Sequence, residues 1–401
     1  MLLEPVLYDL LETTKNSVTG LKEVHPDFYQ ALIKNQFIVE SNLDEVKQVK
    51  DYSHLVDSNE SHYLLIINPT MNCNFKCWYC YESHESSSKM TIQTIESVKK
   101  LITKIVSDER IKSFSLSWFG GEPLLYFKDV IKPISEYTLE LCEKHNVLLN
   151  SDYTTNGYLI NEETANFFKR YKTRQIQITL DGNREKHNTI RYISKTKGSY
   201  DVIIKNVSLL CDKGLSVRLR INYTEETLKG IRDIIDDLKI FTKKQREFLQ
   251  IAFHQVWQDD SNLTEETNLI IKEFRDKGFF VTTHDNPDNV RSSCYADRVN
   301  HSTINYNGEV FKCTARDFNS KNKEGDLTEE GNIIWNEKHN IRMDSKFKNS
   351  PCLDCNILPI CNGGCTQHAI DNENKDYCIY KFDKEKINQV VLNKFLQTID
   401  S

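Results

Sequence analysis

Three closely spaced cysteines are the residues of this chain best suited to hold a metal. Cys73, Cys77 and Cys80 have C-x3-C-x2-C spacing and directly follow the apolar run 63–67. That run predicts a short buried strand, so we expect the cysteines in the loop that leaves it. A structural zinc site takes four protein ligands, and a [4Fe–4S] cluster usually takes four thiolates. Three thiolates can hold three irons and leave the fourth open, although a zinc knuckle is the alternative.

Seven further cysteines form a second group near the C-terminus. They are Cys294, Cys313, Cys352, Cys355, Cys361, Cys365 and Cys378, with C-x2-C-x5-C-x3-C spacing over 352–365. Clustered cysteines in a chain without an export signal point to metal rather than disulfides. The Cys352/Cys355 pair would suit a zinc site, but seven thiols divide badly into four-ligand sites. Cys142 and Cys211 stand apart in apolar surroundings, which predicts buried packing.

Polar motifs also follow the later predicted strands. Gly120-Gly121-Glu122 follows the run 114–118; glycines let backbone approach a ligand, and a carboxylate can accept from an ammonium group. Each motif alone is also compatible with a turn or a surface ion pair. The others, one after each subsequent strand, are Thr155 and Asn156, Asp181 and Arg191, and Arg220 and Asn222.

Together these motifs resemble those of radical S-adenosylmethionine (SAM) enzymes. The aromatic Tyr79 before Cys80 fits their cluster loop, in which the open iron is chelated by the amino and carboxylate groups of SAM. The resemblance implies that Gly120, Gly121 and Glu122 hold the amino group of SAM. It places Thr155 and Asn156 near the SAM ribose, and Arg220 and Asn222 could meet its carboxylate or ribose. It also counts Tyr79, Asp181 and Arg191 among the cofactor-binding residues. Asn188 departs from the family, which usually has an aspartate there.

The C-terminal cysteines resemble the SPASM domain of radical SAM peptide-modifying enzymes, which carries two auxiliary [4Fe–4S] clusters. The resemblance implies a distal cluster on Cys352, Cys355, Cys361 and Cys378. It implies a nearer cluster on Cys294, Cys313 and Cys365. An eighth cysteine is absent from 283–288, so the nearer cluster would have a non-cysteine fourth ligand, such as Asp or His, or an open iron.

The expected architecture is α/β, because runs of strand and helix alternate over 61–260. Six strands fit the partial (βα)6 TIM-like barrel of the resembling family. Residues 1–60 predict an N-terminal module of helices with a short strand at 37–39, either a leader-peptide recognition element or a cap. Residues 261–293 form a bridging region, and 294–401 the cysteine-rich SPASM domain with a C-terminal helix. An Asn307-Gly308 pair predicts a two-residue hairpin within it.

Composition narrows the class of partner. The 401-residue chain has a net charge of −6, which argues against a nucleic-acid or anionic-membrane partner. No run is long enough to span a bilayer and the N-terminus lacks a secretory signal, so we expect a cytoplasmic protein.

The resemblance implies reductive cleavage of SAM to a 5′-deoxyadenosyl radical that abstracts hydrogen from a substrate. Three [4Fe–4S] clusters, SAM and a low-potential donor such as flavodoxin or ferredoxin are the expected cofactors and partners. A ribosomal precursor peptide that gains a thioether or carbon–carbon crosslink, or an oxidised residue, is the expected substrate. A formylglycine-forming sulfatase maturase is the rival, but such enzymes carry Asp directly after the cysteine matching Cys313, and this chain has Thr314. A non-catalytic zinc-binding protein is the remaining alternative.

Overall fold

The computed structural model describes residues 3–15, 18–194, 196–283, 293–372 and 375–399. The chain divides into two compact units, residues 1–50 and 51–401. The stretch 284–288, where an eighth cysteine is missing, lies outside the described residues. No helix within the described ranges is both long and apolar enough to cross a membrane.

The first unit is helical. Helices α1 (Pro5–Thr14), α2 (Val18–Val24) and α3 (Pro26–Lys34) enclose a small core centred on Leu21, Phe28 and Leu32. The predicted strand at 37–39 is wrong. The N–H groups of Phe37 and Ile38 donate back to the Leu32 carbonyl at 2.9 and 3.4 Å, which closes the end of α3 and leaves these donors unavailable to a sheet.

The second unit is built on a large, mostly parallel sheet. Its eleven strands have the order β13-β12-β11-β10-β1-β2-β3-β4-β7-β8-β9, and β5 and β6 form a separate ribbon. The strands are β1 (His62–Ile67), β2 (Ser113–Trp118), β3 (Leu148–Thr155), β4 (Thr173–Asp181), β5 (Tyr192–Ser194), β6 (Lys197–Gly198), β7 (Val217–Tyr223), β8 (Leu249–Gln255), β9 (Phe280–Thr283), β10 (His301–Ile304), β11 (Glu309–Phe311), β12 (Gly325–Leu327) and β13 (Ile333–Trp335). Strands β1, β2, β3, β4, β7 and β8 are the six predicted parallel strands, which confirms the fold class.

Amphipathic helices connect the strands. In α5, Val98, Leu101 and Ile102 are buried, and Thr91 caps its first turn by accepting from the Thr94 N–H. The helices after α3 are α4 (Glu45–Asp57), α5 (Ile92–Val106), α6 (Lys132–His145), α7 (Glu162–Arg170), α8 (Arg184–Ile190), α9 (Tyr200–Asp212), α10 (Glu225–Leu228), α11 (Arg232–Asp237), α12 (Lys243–Arg246), α13 (Thr264–Asp276), α14 (Glu337–Ser345), α15 (Ser350–Leu353), α16 (Leu358–Cys361), α17 (Thr366–Asp371) and α18 (Lys384–Ile399).

Strand β4 shows how the sheet separates its core from its cavity. Ile176, Ile178 and Leu180 are fully buried in the main core, whereas Gln177 and Thr179 between them line a cavity. Successive side chains of a strand point to opposite faces. One face of the sheet is therefore apolar and covered by helices, and the other presents polar groups to the cavity.

The C-terminal part of the chain extends the same sheet. Strand β10 pairs in parallel with the edge of β1, and β11 returns antiparallel to β10. The hairpin is confirmed, but its turn is longer than the predicted two residues. The Gly308 N–H donates to the Asn305 carbonyl at 2.9 Å and Gly308 has φ +84°, so Tyr306 and Asn307 are central and the glycine takes the left-handed position.

Candidate active site

The cysteine loop opens onto a cavity at the carboxyl ends of the parallel strands. Cys73, Cys77 and Cys80 all line this cavity, whose volume is about 640 Å³. The Phe75 N–H donates to the Cys73 sulfur at 3.4 Å. Burial raises the pKa of Cys73 to about 12 and that of Cys80 to about 11. Without a cation these thiols hold their protons, and the loop therefore suits a positively charged centre that stabilises thiolates.

The backbone at the two glycines after β2 lies directly against the backbone of the cysteine loop. The Glu122 N–H donates to the Asn72 carbonyl at 2.8 Å, which ties the end of β2 to the residue before Cys73. A Cβ on Gly121 would lie 2.2 Å from the same carbonyl oxygen. Only glycine allows this approach of the two backbones, so the pair fixes the position of the loop.

Replacing Gly121 with alanine is expected to displace the cysteine loop. The overlap with backbone should lower the free energy of unfolding by about 1–3 kcal/mol and weaken iron binding. Urea unfolding and iron content after reconstitution measure both effects. Ser117→Ala, at the end of the same strand, adds no atom and serves as the control. Equal iron content in the two variants would show that the close approach is dispensable.

Glu122 is buried rather than exposed to the cavity. Its carboxylate accepts from the Thr155 hydroxyl at 2.7 Å, the Asn156 N–H at 2.7 Å and the Leu124 N–H at 3.0 Å. Burial raises the pKa of Glu122, while these hydrogen bonds lower it. In this geometry the carboxylate joins the ends of β2 and β3, and its direct bond to an ammonium group stays a prediction.

Asn156 links β3 to the cysteine loop. Its side-chain amide donates to Oδ1 of the Asn74 side chain at 2.7 Å and lies 3.9 Å from the Cys73 sulfur. Thr155 and Asn156 therefore position the loop through Glu122 and Asn74, and both also line the cavity.

The remaining predicted residues form one polar network around the Tyr79 hydroxyl. That hydroxyl donates to Asp181 at 2.6 Å and accepts from Arg191 at 2.6 Å and from Asn222 at 3.0 Å. Arg191 also pairs directly with Asp181. Arg220 donates to the Asn222 side chain at 2.8 Å, which continues the network along β7.

The network is almost entirely buried, which strengthens the electrostatic interactions between its charged groups. The side chains of Arg191 and Asp181 are 11% and 2% exposed. The carboxylate of Asp181 raises the pKa of Arg191 against the cost of burial. Burial lowers the pKa of Arg220, whose guanidinium donates to the side-chain oxygen of Asn222, an amide rather than a carboxylate. The structure thus brings Tyr79 of the cysteine loop together with residues of β4 and β7 that lie more than a hundred positions further along the chain.

His187 holds the loop after β4 in place. Its Nδ1 accepts from the Asp181 N–H at 3.1 Å, so Nε2 carries the proton and donates to the Ser199 hydroxyl at 2.9 Å. That hydroxyl donates to the Arg191 carbonyl at 2.6 Å. Burial lowers the pKa of His187 to about 3, so the imidazole is neutral throughout the neutral range.

Stability is expected to fall with acidification between pH 6.5 and 4, partly because of His187. Its unfolded-state pKa is about 6.5, so below that value the unfolded chain takes up a proton that the native state does not. One such group contributes a slope of up to about 1.4 kcal/mol per pH unit. Urea unfolding at pH 7, 6 and 5 should show a shallower slope for His187→Gln. The exposed His145→Gln is the control, and parallel slopes for all three proteins would contradict the assignment.

Asn188, where the family usually has an aspartate, accepts two backbone hydrogen bonds. Its side-chain oxygen accepts from the N–H groups of Ser199 and Tyr200 at 2.9 and 3.1 Å, at the start of α9. Only an acceptor is needed there, and asparagine supplies one.

The four cysteines assigned to a distal cluster line one small cavity. Cys352, Cys355, Cys361 and Cys378 line about 50 Å³ of mostly apolar space, which Tyr377 also lines. The amide of Asn349 donates to the Cys352 sulfur at 2.9 Å. Four thiols around one apolar space fit the ligand set of a [4Fe–4S] cluster.

The other three C-terminal cysteines lie around Tyr295 and α17. Burial is the main cause of the raised pKa of Tyr295, and the neighbouring Cys313 and Cys294 raise it further. Cys365 likewise raises the pKa of Cys313, beside the larger effect of burial. Among the described residues, the one group of three or more Cys, His, Asp or Glu ligand atoms that lie within 4.8 Å of one another is elsewhere, at Cys80, Glu82 and His84.

Thr314 lines the cavity directly after Cys313. The Tyr81 hydroxyl donates to its carbonyl at 2.7 Å, and its own hydroxyl lies 2.6 Å from that of Tyr295. The nearby charged residues are engaged elsewhere: Arg316 pairs with Asp371 and Asp317 accepts from Ser83. The aspartate that a sulfatase maturase carries after this cysteine therefore has no counterpart facing the cavity from this loop.

Sequence reasoning missed the aromatic rim of the cavity. Trp257 stacks on Tyr81 with ring centres 5.4 Å apart, and 54% of Trp257 is exposed. The side-chain amide of Gln258 donates to the Tyr79 carbonyl at 3.0 Å. These residues follow β8, and their place after a strand was the available signal.

Comparison with known proteins identifies the class. Residues 67–238 match the Radical SAM superfamily, so the chain contains a domain of this enzyme superfamily, as its motifs predict. The family implies a [4Fe–4S] cluster and SAM, and the cysteine loop and glycine pair fit both.

Individual relatives are distant. The chain is 25% identical over 349 residues to a cysteine-type anaerobic sulfatase-maturating enzyme of Clostridium novyi, covering 77% of this chain and 89% of that protein. It is 22% identical over 374 residues to the radical SAM cyclopropyl synthase TigE of Paramaledivibacter caminithermalis, covering 84% and 76%. Its fold is similar to that of Streptococcus suis SuiB bound to the precursor peptide SuiA, with a TM-score of 0.58, 17% identity and 88% of each chain covered.

Proposed function

We propose that this chain is a radical SAM enzyme that modifies a ribosomal precursor peptide. The observation that carries the proposal is the convergence of the three-cysteine loop with polar residues from four strand ends on one cavity of about 640 Å³. That volume is in the usual range for small-molecule sites. When bound there, the cluster and SAM would supply a 5′-deoxyadenosyl radical.

The chain's own residues would position the cofactor and exclude water. Gly120 and Gly121 present backbone to the cavity beside the cysteines, where the amino group of SAM would bind. Arg220 and Asn222 line the same cavity and would meet the SAM carboxylate or ribose. The network of Tyr79, Asp181 and Arg191 would hold the loop in place, and Tyr79 and Arg191 also line the cavity, so ligand contacts would be pre-organised before substrate arrives.

Two auxiliary [4Fe–4S] clusters belong to this proposal. Cys352, Cys355, Cys361 and Cys378 would hold the distal one, and Cys294, Cys313 and Cys365 the nearer one. A low-potential donor such as flavodoxin or ferredoxin would reduce the SAM-binding cluster. The thioether or carbon–carbon crosslink, or the oxidised residue, would form while the nearer cluster accepts an electron or binds the substrate.

The aromatic rim supports a peptide substrate. Tyr81 and the half-exposed Trp257 form a stacked platform at the cavity, which suits side chains of an extended chain. The peptide-bound structure of SuiB supports the same substrate class by analogy. Residues 1–60 would serve as a leader-recognition module or a cap, and the aromatic Phe37 there is 61% exposed.

The rival function is formylglycine formation on a sulfatase, which the Clostridium novyi relative favours. It would need a base other than the missing aspartate after Cys313. The carboxylates that line the cavity are Glu82 and Asp152, and Asp152 pairs with Arg174 at 3.1 Å. The Thr314 position therefore favours the peptide-modifying proposal over the rival.

The decisive experiment starts with anaerobic purification, reconstitution and assay of 5′-deoxyadenosine on addition of SAM and a reductant. About twelve irons per chain, from three four-iron clusters, are expected. Precursor peptides encoded beside the gene, and a sulfatase-derived peptide, are then incubated with the enzyme. Loss of two hydrogens without a hydroxylamine-reactive aldehyde supports the proposal, and an aldehyde on the sulfatase peptide supports the rival. If the protein contains zinc without iron and does not cleave SAM, a catalytic function is ruled out.

A further inference from the structure

A thiol, a carboxylate and an imidazole converge beside the cysteine loop. The Cys80 sulfur lies 3.5 Å from Nε2 of His84, and the ligand atoms of Cys80, Glu82 and His84 all lie within 4.8 Å of one another. Zinc–ligand bonds are about 2.0–2.3 Å long, so small side-chain movements would close the three groups around one ion.

One of these ligand atoms is in an unfavourable environment as it stands. The Oε1 atom of Glu82 is buried and has no hydrogen-bond partner among the described residues. A buried acceptor without a donor costs free energy, and a cation would satisfy it. The unpartnered Oε1 atom therefore indicates a bound cation independently of the interatomic distances.

A carboxylate also lies beside the group. Asp317 is the anionic neighbour of both Glu82 and His84, and Lys76 is the cationic neighbour of His84. Asp317 is itself held by the Ser83 N–H at 2.8 Å and the Ser83 hydroxyl at 2.7 Å, so it stays beside the group.

The donor set selects the metal. Thiolate and imidazole suit zinc and similar transition metals, whereas magnesium and calcium take oxygen ligands. We propose that, in the chain without its iron–sulfur cluster, Cys80, Glu82 and His84 form a mononuclear site for a divalent transition-metal ion, with Zn²⁺ as the best fit. Binding would release the Cys80 proton to solvent and leave one coordination position for water.

The site would compete with cluster assembly. Cys80 is also the third cysteine of the cluster loop, so a zinc ion that holds its thiolate beside Glu82 and His84 withdraws one of the three thiolates that the cluster needs. Zinc bound at this site would therefore block loading of the SAM-binding cluster, a consequence that rests on the proposed function. The zinc site itself does not depend on it.

Site-resolved alkylation tests the zinc site. The full-length, cluster-free chain is treated with iodoacetamide with and without Zn²⁺, and mass spectrometry follows each cysteine separately. Because a metal-bound thiolate reacts poorly, zinc should slow alkylation of Cys80 by about tenfold or more and change that of Cys73 and Cys77 by less than about twofold. Zinc bound by the C-terminal cysteines would slow alkylation of those cysteines only. Mass spectrometry measures them on other peptides, so they do not affect the result for Cys80.

The variants His84→Ala and Glu82→Gln should each abolish protection of Cys80, whereas Cys73→Ala should retain it. Joint protection of Cys73, Cys77 and Cys80 would indicate a thiolate knuckle and overturn the proposal. Protection of none of them, or unchanged protection in His84→Ala, would overturn it equally.

Competition with the cluster is measured separately. Zinc added before anaerobic reconstitution should reduce iron uptake by about four atoms per chain, the content of one cluster, in the parent protein and not in His84→Ala. Equal iron uptake with and without zinc would refute the competition while the alkylation result still decides the site. Absence of any iron uptake by the parent would instead count against the proposed function.

Discussion

Cys77→Ala is expected to abolish SAM cleavage and to remove about four of twelve irons from the reconstituted chain. The loop supplies only three thiolates, and all three line the same cavity. With two of them, the cluster would lack a protein ligand at a second iron. Deoxyadenosine release in the presence of SAM and a reductant, together with iron content, measures the effect.

A variant of the distal set gives the matched control. Cys355→Ala should also lose about four irons but retain deoxyadenosine release, because Cys355 lines a separate cavity with Cys352, Cys361 and Cys378. Cys142→Ala, in the main apolar core, should keep the full iron content. Loss of SAM cleavage in Cys355→Ala as well would mean that the two cavities do not act independently.

The sequence was sufficient for features encoded by short-range spacing. Cys73, Cys77 and Cys80 lie within one loop, and the alternation in β4 separates Ile176 and Ile178 from the cavity-lining Gln177. Such patterns depend on the pleat of a strand and on neighbouring positions, so they can be read without tertiary information.

Hydrogen-bonding partners from other segments of the chain could not be predicted from the sequence. The spacing around Glu122 does not predict that its carboxylate accepts from Thr155 and Asn156, at and just after the end of β3 and over thirty positions away. The segment 37–39 looked like a strand because three apolar residues adjoin, whereas its N–H groups close the end of α3. In both places a hydrogen-bonding partner decided the outcome, and single-residue propensity carries no information about partners.

Addition of β10 beside β1 is a further example. Residues 301–304 are all buried because they are an inner strand of the large sheet, not part of a separate hairpin domain. Parallel pairing between segments more than two hundred positions apart leaves no local signature. The cysteine-rich region is thereby attached to the same sheet whose strand ends carry the cavity.

Asp181→Ala is expected to lower the free energy of unfolding by about 3–5 kcal/mol, because it leaves the buried Arg191 guanidinium without its carboxylate. The Tyr79 hydroxyl would lose its acceptor at the same time. The cysteine loop, which carries Tyr79, should then be less ordered, so iron content should fall as well. Urea unfolding and iron analysis after reconstitution provide the two measurements.

The exposed pair of Asp152 and Arg174 is the control for the buried pair of Asp181 and Arg191. Asp152→Ala breaks the bond to Arg174, whose side chain is 68% exposed, and should cost less than about 1 kcal/mol. The double variant Asp181→Ala with Arg191→Met removes both buried charges and should recover part of the stability lost by Asp181→Ala alone. Such recovery would show that the uncompensated guanidinium, rather than lost packing, causes the damage. Equal costs for Asp181→Ala and Asp152→Ala would instead mean that water reaches the network.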